Sequence, residues 1–275
     1  MTESSGAAGA GMSELSDRQE VVVMLTALSL EYNAVRAHLT AVQTQTHPAG
    51  TRFEVGVLPN TPWQIALAMT GVGNATAAVV VERAASLFTP RALLFVGVAG
   101  ALADDIALGD VVVPTWVYAY HGGRDENDEF NVYPRAWEAP HHLQQLARHL
   151  ERLGTWTRLL SGNVGDRPPT VHFRPIAAGE VVLNSRTSPL ARQLRHYYND
   201  AAAIEMESVG VAQAGHLNPS LPVLTVRGIS DAADGDKDAT DRAGWQPRAA
   251  AHAAAFALAL VSELASEPGS TDEVL

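Results

Sequence analysis

Three acidic residues stand where apolar strands are expected to end, and their placement suggests acid–base chemistry. Asp231, Glu207 and Glu31 each lie at or just after the end of a short apolar run. Ligands of open α/β sheets bind beyond the carboxyl ends of the strands, so we expect the three carboxylates to converge on one pocket. Taken singly, each is typical of a helix cap or a helix-dipole partner. One protonated and one ionised carboxyl group in a single pocket would supply a general acid and a general base.

The elements that must position these residues alternate between strands and helices. Apolar and polar residues alternate in Arg52–Leu58 and in Trp63–Met69, and turn residues lie between the two segments. This pattern predicts a hairpin. Several other runs are apolar on both faces, which predicts an α/β sandwich with helices on both sides of one sheet. Buried strands are predicted at Val21–Ala27, Ala92–Val98 and Val223–Ser230, and further strands at Asp110–Tyr120 and Ala203–Met206.

Two segments carry more specific predictions about local structure. Ser29 is expected to cap a helix that begins near Leu30. The polar and aromatic stretch His121–Ala139 is expected to be a long loop with a functional role. Because no break in composition divides the chain, we predict one domain over residues 20–265, preceded by a disordered leader at residues 1–19 and followed by a disordered tail at residues 266–275.

Composition and charge narrow the class of ligand. The chain has 275 residues, a formal net charge of -11 and no cysteine, which excludes disulfides and thiolate nucleophiles. It shows no basic cluster of the kind that binds nucleic acid, and no apolar run approaches the ~18 residues needed to span a bilayer. The histidines lack metal-ligand spacing, so no metal is expected. A small-molecule substrate and a cytoplasmic location are predicted.

Two glycine-rich turns follow predicted strands. In Gly71–Gly73 and in Gly97–Gly100, backbone N–H groups could meet a ribose oxygen, a water molecule or a phosphate. Each turn alone is more typical of a tight strand-to-helix connection. The segment Gly228–Ala232 misses the G-x-S-x-G pattern at its last position, which argues against a serine hydrolase.

The motifs and their order resemble those of the nucleoside phosphorylase/hydrolase superfamily. Ile204-Glu205-Met206-Glu207-Ser208 resembles its E-M-E segment, and Arg227–Asp234 resembles its R-x-I-S-D-x-A-D segment. Thr70–Gly73, Gly97–Leu102 and Leu108–Val113 match in order too. Glu31 matches the glutamate with which methylthioadenosine/S-adenosylhomocysteine nucleosidases activate water. The chain therefore resembles this branch of the superfamily most closely. The resemblance implies a three-layer α/β sandwich with a central mixed β-sheet flanked by helices.

The resemblance also implies residue roles. Asp231 would donate a proton to purine N7, Ser230 would orient Asp231, and Glu31 would take a proton from the attacking water. Glu207 would accept hydrogen bonds from the ribose hydroxyls while Met206 packs on the sugar. The further substrate-binding residues implied are Glu205, Val72, Gly97, Val98, Val182 and Leu183. No cofactor is implied, and a homodimer is expected.

Several positions bear on the choice of substrate. Phe95 and Val98 stand where a phosphorylase would have Arg and Ser or Thr, which favours water as the nucleophile. Val182 stands where the nucleosidase branch has a base-stacking phenylalanine. Three basic residues fall in segments that resemble phosphorylase-type domains of bacterial and fungal defence receptors, some of which attack adenine nucleotides. They would contact a 5′-phosphate or else be surface charges, and they are His172, Arg174 and Lys237.

The favoured hypothesis is therefore hydrolysis of the N-glycosidic bond of a purine nucleoside with an adenine base, such as methylthioadenosine or S-adenosylhomocysteine. Three alternatives stay open. The protein could be an N-glycosidase of adenine nucleotides such as AMP or ATP, a phosphate-dependent purine nucleoside phosphorylase, or a catalytically silent nucleoside-binding module. The sequence has a candidate acid, a candidate base and a candidate ribose-binding residue. They argue against the silent binding module, because such a module needs no proton donor.

Overall fold

The computed structural model describes residues 20–127, 130–160 and 167–264. The leader expected at residues 1–19 and the tail expected at residues 266–275 lie outside the described residues. The single domain over residues 20–265 stays a prediction.

Strands and helices alternate along most of the chain. The strands are β1 (Val21–Thr26), β2 (Thr40–Thr46), β3 (Arg52–Val57), β4 (Gln64–Met69), β5 (Ala92–Ala101), β6 (Val111–Val112), β7 (Trp116–Ala119), β8 (Gly123–Asp125), β9 (Phe130–Val132), β10 (Arg135–Glu138), β11 (Val171–His172), β12 (Ile176–Ala178), β13 (Ala203–Glu205) and β14 (Val223–Asp231). The helices are α1 (Ser29–Arg36), α2 (Asn74–Phe88), α3 (His141–Leu153), α4 (Pro189–Tyr197), α5 (Ser208–Leu217), α6 (Lys237–Arg242) and α7 (Trp245–Leu264). A short 3₁₀ turn covers Thr155–Leu159.

All described strands except β8 and β9 build one large mixed sheet around β5, and β8 and β9 pair with each other in a separate two-stranded sheet. The main path of the large sheet runs β10-β7-β12-β13-β5-β1-β4-β3-β2, and β14 also pairs with β5. β1 and β14 run parallel to β5, whereas β13 runs antiparallel to it. β3 and β4 form the predicted antiparallel hairpin. The carboxyl ends of β1 and β14 therefore come to the same edge of the sheet.

Both faces of the central sheet are buried. Successive side chains of a strand point to opposite sides, and those of β1 pack into a different core cluster on each side. Val22 and Met24 of β1 pack into a core cluster that holds most of the apolar side chains of α7. Val23 and Leu25 pack into a second cluster, together with apolar residues of α2 and α5. Helices thus cover both sides of a central mixed sheet, and the predicted fold class is confirmed.

Two predictions for the middle of the chain are wrong. Asp110–Tyr120 is not one strand but two, β6 and β7, separated at Pro114, which has no N–H to give to a strand ladder. The stretch His121–Ala139 is not a loop throughout, since it contains β8, β9 and β10. Most of its residues are exposed, so no apolar alternation marks these strands in the sequence.

The start of α1 also differs from its prediction. The helix begins at Ser29 itself, and no side-chain hydrogen bond from the residue before it caps the helix. Instead, the Glu31 carboxylate accepts the backbone N–H groups of Ala27 and Leu28. A candidate catalytic group therefore replaces the predicted serine cap. Among the described residues, no helix has the length and apolar character needed to cross a bilayer.

Asp110 ties the loop before β6 to the segment that leads into β11. Its buried carboxylate accepts backbone N–H groups of Thr170 at 2.9 Å and Ala107 at 3.1 Å. Arg167 donates to both oxygens at 2.6 and 2.8 Å, and His172 Nε2 lies 2.9 Å from Oδ2. Burial acts to raise the pKa of Asp110, but the bonds from His172, the backbone and Arg167 outweigh it and lower the pKa to about 2.

We expect Asp110→Asn to lower the free energy of unfolding by about 2 kcal/mol at neutral pH. The depressed pKa contributes stability above the unfolded value near 3.8, and this contribution is lost as the pH falls towards about 2. Urea unfolding near pH 7 and near pH 3 measures the effect, which should shrink at the lower pH. Asp105→Asn is the control, because Asp105 pairs with Arg174 at the surface and should leave the unfolding midpoint unchanged. An equal loss at both pH values would contradict the role of the Asp110 charge.

Candidate active site

A pocket opens at the sheet edge where β1, β5, β13 and β14 end. Parallel strands of an α/β sheet present their carboxyl ends to ligands at such an edge. The pocket is lined by Ala27, Leu28, Glu31, Val72, Val98, Ala99, Gly100, Val181, Val182, Leu183, Ile204, Glu205, Met206, Glu207, Ser230, Asp231, Lys237 and Gln246. Every residue predicted to form the site is among them except Gly97.

Glu31 is buried, and three backbone N–H groups hold its carboxylate. Oε2 accepts from Ala27 at 2.9 Å and from Leu28 at 2.8 Å, and Oε1 accepts from Val98 at 2.8 Å. Burial raises the pKa of Glu31 above its ordinary value, although the nearby Arg227 and these N–H groups act to lower it. A carboxylate with a raised pKa is the stronger base, which suits proton abstraction from water.

Gly97 lies beneath the pocket rather than in its wall. A Cβ at this position would come within 2.0 Å of Nη1 of Arg227 and within 2.6 Å of Oε1 of Glu31. Gly97 is not among the residues that line the pocket, and its substrate contact stays a prediction. Gly97 instead leaves the space in which the arginine and the glutamate approach each other, and any larger residue would fill that space.

Glu205 lines the pocket, but its carboxylate binds groups of the protein itself. It accepts the backbone N–H of Glu207 at 3.1 Å and that of Ser208 at 3.0 and 3.1 Å, and it forms an ion pair with Arg227. These bonds fix the turn between β13 and α5. Although Glu205 is predicted to bind substrate, its observed contacts make it a support for Glu207.

Glu207 is the second buried carboxylate that faces the pocket. Its Oε1 accepts the backbone N–H of Gly73 at 3.2 Å, and its Oε2 lies 3.5 Å from Nη2 of Arg227. Burial raises the pKa of Glu207 to about 7, with Arg227 opposing the rise and Glu205 adding to it. Met206, the residue between the two glutamates, lines the same pocket.

Arg227 is the main residue to which the sequence analysis assigned no role. Its side chain is 0% exposed, its Nη2 meets Glu205, and its guanidinium lies 4.3 Å from the centre of the Phe95 ring. Within the described residues, its Nε and Nη1 have no hydrogen-bond partner. A basic residue inside the largely apolar run Val223–Ile229 of β14 is the signal that could have revealed it, since a buried charge requires compensation.

Asp231 ends β14, and its two oxygens have different partners. Oδ2 accepts Ser230 Oγ at 3.0 Å and lies 3.2 Å from Lys237 Nζ, while Oδ1 accepts the backbone N–H of Ala233 at 3.0 Å. The pairing of β14 with β5 shifts register between Ile229 and Asp231. Such a bulge redirects the side chain at the end of a strand. Here it turns Asp231 towards the pocket.

The three basic residues considered for a 5′-phosphate fall in different places. His172 is bound to Asp110 and Arg174 to Asp105, and neither lines the pocket. Lys237 does line the pocket. Its Nζ lies 3.2 Å from Oδ2 of Asp231 and 3.5 Å from Oδ1 of Asp241. The phosphate contact considered for His172 and Arg174 therefore has no support in the geometry.

The mouth of the pocket is apolar and open. Val72, Val181 and Val182 are 54%, 44% and 59% exposed, although all three line the pocket. The deeper wall has Leu183, which is buried, and Val98. A ligand would place polar groups against the carboxylates at the bottom and an apolar group against the valines at the mouth.

This arrangement can perform acid–base chemistry. It brings together a carboxyl group with a hydroxyl partner (Asp231 with Ser230), a buried carboxylate held by backbone N–H groups (Glu31) and a third buried carboxylate (Glu207). Carboxylates in one pocket but with different surroundings can hold different protonation states, which acid–base catalysis requires.

Comparisons with known proteins agree with this geometry. The family model for the phosphorylase superfamily matches residues 21–262. A 5′-methylthioadenosine/S-adenosylhomocysteine nucleosidase from Maridesulfovibrio salexigens is 28% identical over 205 residues, which is 73% of this chain and 82% of that protein. The ATP nucleosidase Cap17 from Escherichia coli is 27% identical over 197 residues, 63% of this chain and 37% of that protein.

A solved structure shares the fold. The 5′-methylthioadenosine/S-adenosylhomocysteine nucleosidase from Neisseria meningitidis, in complex with methylthio-immucillin-A, superposes with a TM-score of 0.73. It is 21% identical in sequence, and the alignment covers 89% of this chain and 99% of that one. The chain belongs to the phosphorylase superfamily, and the family predicted from the motifs is confirmed.

We expect Arg227→Gln to lower the free energy of unfolding by about 3–5 kcal/mol, because it leaves the carboxylates of Glu205 and Glu207 buried without their cation. Urea unfolding near neutral pH measures the loss. Arg36→Gln is the matched control, since Arg36 pairs with Glu54 at the surface and such pairs contribute about 0–1 kcal/mol. A loss no larger than that of the control would mean that Arg227 does not compensate the buried carboxylates.

Proposed function

We propose that this chain hydrolyses the N-glycosidic bond of a purine nucleoside, with Asp231 as the general acid and Glu31 as the general base. The observation that carries the proposal is the convergence of Asp231, Glu31 and Glu207 on one pocket. Each carboxylate there has its own hydrogen-bond partners. The nucleosidase names of the relatives support the same reaction type.

The proposed reaction balances when, after each turnover, Glu31 releases its proton to solvent and Asp231 takes one up. The bond between C1′ and N9 breaks, and its electron pair goes to the base. Protonated Asp231 donates its proton to N7, so that the base leaves as a neutral molecule. Water attacks C1′ and gives its proton to Glu31. Glu207 accepts hydrogen bonds from the ribose hydroxyls while positive charge develops on the sugar, which a nearby carboxylate stabilises.

The charges around the pocket favour water over phosphate as the nucleophile. Glu31 stands beside Val98, and its carboxylate would repel a phosphate dianion placed there. Arg227 lies below the pocket and is already faced by Glu205 and Glu207. Lys237 is the one cation among the described lining residues, and it is paired with Asp231. A phosphorylase needs a cationic site for its second substrate, and the described residues of this pocket do not provide one.

The preferred substrate that we propose has an adenine base and a 5′ thioether substituent without net charge. Nucleosides of this kind, such as methylthioadenosine and S-adenosylhomocysteine, are named in the relatives' descriptions. A thioether at C5′ would pack on the apolar mouth formed by Val72, Val181 and Val182, where burial of apolar surface favours binding.

An adenine nucleotide is the second candidate substrate, and one observation favours it. Lys237 reaches into the pocket from α6, and its ammonium could leave Asp231 for a phosphate group while Asp241 remains close. The likeness to the ATP nucleosidase Cap17 points the same way. The negative pocket argues against this candidate, so we rank it second.

Two further predictions from the sequence stay open. The homodimer is supported by the exposed apolar mouth, because a second copy lying over Val72, Val181 and Val182 would bury these side chains. The cytoplasmic location also remains a prediction.

The decisive experiment incubates the protein in phosphate-free buffer with methylthioadenosine, S-adenosylhomocysteine, adenosine, inosine, AMP and ATP. Released base is measured by chromatography. We expect adenine release from the first two at the highest rate. Release only after phosphate is added, with ribose 1-phosphate as product, would make the protein a phosphorylase, and preference for AMP or ATP would establish the second candidate.

The same assay applied to variants tests the assigned roles. We expect Asp231→Asn and Glu31→Gln each to lower kcat by roughly 10²–10⁴-fold, the range of general acid–base catalysis. Asp238→Asn is the matched control, because it makes the same change on exposed α6 outside the pocket and should keep the wild-type rate. Full activity of Asp231→Asn would overturn the proposed mechanism.

The raised pKa of Glu207 predicts a pH dependence of substrate binding. As the pH falls through about 7, Glu207 takes up a proton and loses acceptor capacity for the ribose hydroxyls. We therefore expect KM to increase several-fold between about pH 8 and about pH 6. In Glu207→Gln the side chain no longer titrates, so its KM should be higher and flat over this range. If the variant keeps the wild-type pH dependence, another group causes it.

A further inference from the structure

The backbone just after Asp231 has a conformation that L-residues rarely adopt. Ala233 has φ of 49°, in the left-handed region, and its side chain is 2% exposed. This turn points the Ala233 N–H back at Asp231, where Oδ1 accepts it at 3.0 Å. Non-glycine residues hold such a conformation only where surrounding contacts fix it.

Arg186 supplies such a contact. Its Nε and Nη2 donate to the carbonyl oxygen of Ala232 at 3.2 and 3.1 Å. That carbonyl and the Ala233 N–H belong to one planar peptide group and point in opposite directions. The guanidinium therefore binds the carbonyl oxygen of the same peptide group whose N–H donates to Asp231.

The rest of Arg186 is anchored on the protein. Its Nη1 forms an ion pair with Asp104, and Nη1 of Arg195 on α4 donates to its carbonyl oxygen at 2.6 Å. Arg186 also comes three residues after Leu183, which lines the pocket. The Arg186 side chain thus binds the turn after β14 and Asp104, while its backbone is held by α4.

We infer that Arg186 is a positioning residue for Asp231, acting through the Ala232–Ala233 peptide group. This inference rests on the proposed role of Asp231 as the general acid. Two donors on the carbonyl fix the rotation of the peptide group, and they also polarise it, which strengthens its N–H as a donor. Both effects hold the plane of the Asp231 carboxyl group at one angle to the pocket.

The neighbouring pair Arg174–Asp105 provides a matched comparison. Arg174 Nη1 donates to both Asp105 oxygens at 2.9 and 3.2 Å, and Asp105 is adjacent to Asp104 in the chain. Both arginines bind exposed aspartates of one loop, but only Arg186 contacts the peptide group beside Asp231. A difference between the two arginine variants therefore reports on that contact and not on loss of a surface ion pair.

The experiment measures kcat, KM and the thermal unfolding midpoint for Arg186→Gln, Arg186→Lys, Asp104→Asn and Arg174→Gln, with the best substrate of the panel. A misplaced reacting group costs up to about 10²-fold in rate. We expect Arg186→Gln to lower kcat by about 10- to 100-fold with KM changed by less than about 3-fold. Arg186→Lys keeps one donor for the carbonyl and should restore part of the rate. Asp104→Asn and Arg174→Gln should keep the wild-type kcat.

A double variant separates action through Asp231 from a general effect on the fold. If Arg186 acts through the acid, Arg186→Gln should cause little further loss of kcat in the Asp231→Asn background, where the acid is already absent. Independent, multiplicative losses would overturn the inference, and so would equal losses of kcat in Arg186→Gln and Asp104→Asn. Wild-type kcat in Arg186→Gln, with Asp231→Asn inactive, would reject the inference alone. An active Asp231→Asn would reject the proposed function itself.

Discussion

One buried positive charge, that of Arg227, makes the acidic pocket possible. Its fully buried guanidinium meets Glu205 and lies 3.5 Å from Glu207, and it acts to lower the pKa of both Glu207 and Glu31. Removing several carboxylates from water costs several kcal/mol for each ion unless a partner compensates. The compensation is incomplete, since the pKa values of Glu31 and Glu207 remain above their ordinary values. That residual destabilisation of the charged form makes the Glu31 carboxylate a stronger base than an exposed carboxylate.

The sheet sets where this charge lies. Arg227 of β14 pairs in register with Gly97 of β5, and the missing side chain at Gly97 leaves room for the guanidinium and for Glu31. The register shift before Asp231 brings it opposite Gly100, where a Cβ would lie 2.7 Å from Oδ1. Two glycines on one strand therefore create the space into which three charged side chains from other elements converge.

The sequence predicts those site residues whose acidic side chains end an apolar run. Asp231 and Glu207 follow apolar strands, so their polarity at a strand end was visible, and strands apolar on both faces predicted the covered sheet. Arg227 also interrupts a largely apolar strand, but its partners Glu205 and Glu207 come from a distant part of the chain, so local sequence does not assign it a role. The close approach at Gly97 depends on strand register, which local sequence does not specify. β8, β9 and β10 are largely exposed and carry no periodic signal, so they were predicted as loop.

The same fold can support hydrolysis or phosphorolysis, and the difference lies in a small region above Gly97. In the proposed reaction, the general acid at the end of β14 and the hydroxyl acceptor after β13 act on the bond between sugar and base, which is cleaved whichever nucleophile attacks. The nucleophile is selected by the charge it meets. Here Glu31, fixed by the N–H groups of Ala27, Leu28 and Val98, presents a carboxylate. A neutral water molecule can approach that group and give it a proton, whereas a phosphate dianion would be repelled by it.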